Sequence, residues 1–106
     1  MLTKQERPQL FVDIRKSLPD TNNALNASHK NEHTAYLRRL MDDGILLMTG
    51  PLKDYGSLQY IFKAKSLEEA TALYSNDPYI KYGVYKSNII AWELHRCQPA
   101  LLKLLL

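Results

Sequence analysis

Two stretches with helical periodicity, residues 28–44 and 66–76, are set among four stretches that read as strands. No other feature restricts the fold of this chain as much. "QLFVDIRK" (9–16) precedes the first helix and combines apolar and β-branched residues with Asp13 and Arg15 alternating late in the run. "ILLMTG" (45–50) and "SLQYIFKA" (57–64) lie between the helices, joined by a loop at 51–56. "VYKSNIIAWELHR" (84–96) closes the series as a long strand. The order β-α-β-β-α-β is that of a ferredoxin-like α+β fold, a four-stranded antiparallel sheet with two helices on one face.

The helix limits carry their own signals. Ser28 is a candidate N-cap for the first helix, with Asn26 a rival, and Gly44 suits the position just past its end. His33, Tyr36, Leu37, Leu40 and Met41 recur at spacings of three and four, which puts them on one face. Ser66 followed three residues later by Glu69 is a capping-box signature for the second helix. Asp77-Pro78 ends that helix, because the residue before proline avoids helical geometry. Residues 77–83 read as a short turn or a single helical turn. The loop at 17–28, the lead-in at 1–8 and an apolar tail at 97–106 complete a single domain with its core at about 9–95.

The alternating strand positions are apolar or aromatic in both sets: Ile61 against Tyr60 and Phe62, Ile89 and Ala91 against Ile90 and Trp92. A sheet face left to water would be more polar. An identical subunit packed on the second face is the simplest cover, so a homodimer is expected. The leucine-rich tail either adds to that contact or frays.

With 106 residues and a 24% share of charged side chains, the chain has the make-up of an ordinary globular domain. Its net charge of +3 is spread among interleaved acids, without the basic stripe of a nucleic-acid binder. A small anionic ligand accounts for the bias equally well. No run has the length of a membrane span, and no signal peptide is evident. One cysteine, Cys97, rules out an internal disulfide and suits a cytoplasmic location.

Chemistry falls to few residues. His33 sits mid-helix on the apolar face, where a lone histidine is either a hydrogen-bonded core residue or a reactive one. His29, four residues earlier, would permit chelation, but the pair lacks the glutamate that directly follows the first histidine in zinc proteases and a nearby cysteine, so no metal is expected. Asp77 at the end of the second helix either breaks the helix or, at the negative end of its dipole, orients an imidazole. Packing of both helices on one sheet face would let the two meet.

"EHTAYLRRLMDDGILLMTGPL" (32–52) and "SLEEATALYSNDPYIKYGVY" (66–85), with the last strand, resemble the YciI-like (YCII-related) family. The shared pattern is a helix histidine, a leucine-rich stretch, Gly-Pro ending the second strand, Ser-x-Glu-Glu-Ala, Asp-Pro-Tyr, and a glycine before the final strand. The resemblance implies a dimeric α+β barrel similar to muconolactone isomerase, with a His-Asp pair mapping onto His33 and Asp77. At least one member class dehydrochlorinates a chlorinated hydroxyquinol, and most have no assigned reaction. The expected activity is acid–base chemistry of lyase, isomerase or dehydrochlorinase type on a small cyclic or aromatic organic acid, without metal or redox cofactor. The chain departs from the family in lacking an arginine shortly before the histidine: the preceding stretch offers only Lys30. Lys30, Tyr36, Ser57 and Tyr79 are the expected substrate-binding residues, in a pocket lined by Tyr36, Leu37, Phe62 and Trp92. The rival reading is a non-catalytic ligand-binding or regulatory dimer of the same fold.

Overall fold

The computed structural model describes residues 9–18 and 23–105. The lead-in at 1–8, part of the first loop (19–22) and the last tail residue lie outside them. The described elements are β1 (Gln9–Ser17), α1 (Asn23–Asp42), β2 (Leu46–Leu52), β3 (Ser57–Lys63), α2 (Leu67–Ser75), α3 (Pro78–Lys81), β4 (Tyr85–Glu93) and α4 (Pro99–Leu105). The four strands form one antiparallel sheet in the order β2-β3-β1-β4, the ferredoxin-like arrangement.

The expected order holds, and the limits shift. Helix α1 starts at Asn23, so Ser28 and Asn26 are interior positions and neither is the N-cap. Ala24, Leu25 and Ala27 favour helix strongly enough to carry it back through a stretch rich in asparagine. At the other end Gly44 has φ +73°. Its N–H donates to the Met41 carbonyl at 3.0 Å, and the Ile45 N–H donates to the Leu40 carbonyl at 2.9 Å. That paired bonding is a Schellman stop, and the apolar side chains of Leu40 and Ile45 both pack on the core beside it. Strand β2 runs on through Pro51 rather than giving way to a loop there. It is an edge strand, where a proline's missing N–H leaves no ladder bond unmade. The N-cap of α2 is as expected: Ser66 Oγ accepts from the Glu69 N–H at 3.1 Å. Residues 78–81 make one helical turn, α3. The tail folds as α4 with Leu101 and Leu104 exposed.

One face of the sheet carries the core. Phe11, Leu46, Tyr60, Phe62, Ala64 and Ala70 are buried together, with Leu37 and Leu40 of α1 and Leu73 of α2 packed against them. Met41 is exposed and so falls outside the face assigned to it. Strand register then sets the far face. Ile61 pairs with Met48 on one side and Val12 on the other, and Val12 pairs with Ile90. Met48, Ile90 and Trp92, all on this far face, are exposed at 50%, 47% and 42%.

Candidate active site

Strand β1 is apolar at Leu10, Phe11, Val12 and Ile14, yet its helix-side face carries two charges. Asp13 and Arg15 are two residues apart, so the pleat points both the same way. Register completes the setting: Asp13 pairs with Tyr60 on β3, and Arg15 pairs with Ser87 on β4. Burial is nearly total, at 0% exposure for Asp13 and 3% for Arg15. Charges so placed must be paired. Arg15 Nε donates to Asp13 Oδ2 at 2.7 Å, and Arg15 Nη1 donates to Asp77 Oδ2 at 2.5 Å. The guanidinium lies over the Tyr60 ring, 4.0 Å from its centre. The second oxygen of Asp13 accepts from the Ser87 hydroxyl and from the Asn88 N–H.

Asp77 is the hub. Helix α2 ends at its C-cap Asn76, and Asp77 is the N-cap of α3, where Oδ1 accepts from the Tyr79 N–H at 3.0 Å. Asp77 thus directly follows the end of α2, as expected, and a backbone donor and a guanidinium face its carboxylate. His33 Nδ1 lies 2.7 Å from the same Oδ1. Burial alone would raise Asp77, but the His33 hydrogen bond and the Arg15 charge outweigh it and hold the carboxyl below its ordinary range. Because Asp77 is then ionised, Nδ1–H of His33 is the donor. In the neutral ring Nε2 is left unprotonated, and among the described residues no hydrogen bond engages it. For Arg15 burial opposes the charge, and Asp77 and Asp13 overcome it to raise its value further.

Aromatic rings fix the imidazole. Tyr79 stacks on His33 at 3.8 Å between centres and 12° between planes. Tyr60 meets the ring edge-on at 6.5 Å. One turn back along α1, His29 stacks in the same way on Tyr82 at 3.8 Å. The Tyr60 phenol is pushed up to about 12 by burial, with Asp77 and Tyr85 adding to the effect and Arg15 opposing it. Tyr79 is raised by burial, then by Tyr85 and Asp77. Both rings are therefore neutral walls.

Of the residues singled out in the sequence, the fold brings His33, Asp77 and Tyr79 together. Tyr36 is half-buried nearby, its hydroxyl donating to the Leu73 carbonyl. Lys30 is exposed on α1 and takes part in none of the cluster's ion pairs. Ser57 pairs with Lys16 and Leu52, on the sheet face opposite Arg15, and its hydroxyl donates to the Tyr55 carbonyl at 3.4 Å. Trp92 pairs with Leu10 on that same far face, so it does not line the pocket. A cleft of about 280 Å³, open to solvent, lies between the helices and the sheet beside the ion cluster. Its walls are mainly Tyr36, Leu37, Tyr60, Phe62 and Leu73, and Arg15 reaches it from the charged side. It is narrow, with room at its centre for about one water. Sequence reasoning missed Asp13, Arg15, Tyr60 and Ser87. The available signal was two charges, Asp13 and Arg15, on the same face of a strand as Phe11.

A family model described as the YCII-related domain matches residues 9–93. Uncharacterized protein YjpA of Bacillus subtilis (strain 168) is 34% identical over 71 residues, which is 67% of this chain and 84% of YjpA. Among solved structures, 5-chloro-2-hydroxyhydroquinone dehydrochlorinase (TftG) of Burkholderia phenoliruptrix AC1100, in complex with 2,5-dihydroxybenzoquinone, aligns with a TM-score of 0.62. The identity is 26%, over 79% of this chain and 93% of that one. Muconolactone isomerase aligns with a TM-score of 0.62 at 20% identity, over 85% of this chain and 92% of its own, a likeness of fold alone.

Proposed function

The chain belongs to the YCII-related domain family, and we propose from that membership that it is a small-molecule enzyme using His33 and Asp77 as an acid–base pair. One observation carries the reading: a buried carboxylate, held ionised, accepts Nδ1–H of His33 at 2.7 Å. That bond fixes the tautomer and leaves Nε2 as the base. The dehydrochlorinase likeness supports a small hydroxylated ring as substrate.

In the proposed step, Nε2 takes a proton from a C–H or O–H of the substrate. The electron pair left behind either expels a leaving group such as chloride or moves a double bond. In the second case the imidazolium returns its proton at another carbon. Asp77 stabilises the imidazolium, and Tyr79 holds its plane. Arg15, which reaches the narrow apolar cleft beside the cluster, offers a substrate oxygen a cationic contact. The working unit is a homodimer whose apolar sheet faces cover each other, supported by the exposure of Met48, Ile90 and Trp92.

The test is turnover against pH on a panel of chlorinated hydroxyquinols and muconolactones. Turnover should depend on a single group with imidazole character and fall by at least about 100-fold in His33→Ala and Asp77→Asn, with folding intact. Tight binding without turnover, undiminished by His33→Gln, would instead identify a ligand-binding dimer.

A further inference from the structure

Asp77 serves an imidazole and a guanidinium. His33 and the Tyr79 N–H occupy Oδ1, and Arg15 occupies Oδ2. An Asp–Arg pair alone is neutral and would leave little charge to hold a proton on an imidazole. Asp13 alters that balance. It accepts Arg15 Nε at 2.7 Å, so one guanidinium is shared between two buried carboxylates. Together Asp13, Arg15 and Asp77 sum to one negative charge, and one proton on His33 cancels it.

Among the described residues no other charged group of the packed elements hydrogen-bonds or ion-pairs with this set. Tyr60 from β3, Tyr79 from α3 and Tyr36 from α1 face it as phenols whose values are raised. From β4 come only the Ser87 hydroxyl and the Asn88 N–H, neutral donors that hold Asp13 in place.

We infer that Asp13 is a positioning residue of the site, which acts through Arg15 to leave the charge of Asp77 available to His33. It touches neither His33 nor the cleft. The inference rests on the His33–Asp77 reading, and its test needs no substrate. The imidazole signals of the ¹³C-histidine-labelled full chain are followed by NMR against pH, with His33 assigned through His33→Gln. In Asp13→Asn, which removes charge but little volume, the proton affinity of His33 should fall about tenfold. In Ser87→Ala, which loosens Asp13 but keeps its charge, it should stay within about twofold of the parent. A folded Asp13→Asn within twofold of the parent overturns the inference, as does a Ser87→Ala shift equal to that of Asp13→Asn. If Asp13→Asn does not fold, the double variant Asp13→Asn/Arg15→Met decides. There the pair removed is neutral and Asp77 keeps its single negative charge, so the proton affinity of His33 should stay within about twofold of the parent; a tenfold change in either direction overturns the inference. A parent without turnover would defeat the proposed function and leave these readouts standing.

Discussion

Arg15 and Asp77 are 62 positions apart in the chain, and Arg15 Nη1 donates to Asp77 Oδ2 at 2.5 Å with both side chains almost fully removed from water. The pair ties the central strand β1 to the cap of α3, and α3 in turn carries the ring that stacks on His33. Structural integrity and site chemistry therefore share the same charges.

Acid should unfold the protein through Asp77. Its carboxyl is held below the ordinary value in the native state, so the unfolded chain binds a proton more readily. The resulting stability is complete above the unfolded carboxylate value, about pH 4, and is lost as pH falls through the lower native value. Urea midpoints measured from neutral pH downward should drop over that acid range, and the drop should flatten in Asp77→Asn.

Removal of Arg15 should be costly. Arg15→Met leaves two carboxylates buried without their cation, and breaking such a pair costs about 3–5 kcal/mol. Arg15→Lys should recover part of this, since one ammonium cannot reproduce the fork that serves two carboxylates. Equilibrium urea unfolding of the three proteins checks the order parent, lysine, methionine.

Tyr79 acts on His33 through its ring and not its hydroxyl. Tyr79→Phe keeps the 3.8 Å stack and should hold both stability and turnover near those of the parent. Tyr79→Leu removes the flat wall; a loss of about 1 kcal/mol in stability and of roughly tenfold in kcat is expected. Urea unfolding and steady-state kinetics on whichever panel substrate turns over separate the two variants.

The far sheet face should govern assembly. Ile90 and Trp92 lie on it and are exposed in the single chain. Ile90→Lys or Trp92→Lys places a charge where a dimer would bury apolar surface, and sedimentation velocity should show monomer in place of dimer. An unchanged sedimentation coefficient would mean that assembly uses another surface.

Much of the layout was legible before the coordinates. Ser66 and Gly44 announce a helix start and a helix stop because caps are local: the partners lie three or four residues away. The start of α1 was misread for a related reason, since asparagines favour turns while the alanines and leucine among them favour helix, and the second tendency prevailed. Ser57 was misplaced because alternation defines two faces without saying which one the helices cover. Asp77 was found for an incomplete reason. Its place before Pro78 marked it as a terminator, whereas its carboxylate caps the next turn and anchors Arg15.

The sequence by itself determined the order of strands and helices, their caps and the two faces of each strand, because those depend on spacings of two to four residues. Tertiary structure alone decided that Asp13, Arg15, His33 and Asp77 form one buried cluster. The contacts of Asp77 with His33 and Arg15 span 44 and 62 positions and join α1, β1 and the cap of α3, and no local period encodes which distant charge a buried one will meet. Only the strand register and the packing of helices on the sheet bring those partners together, and without them none of these charges could be held away from water.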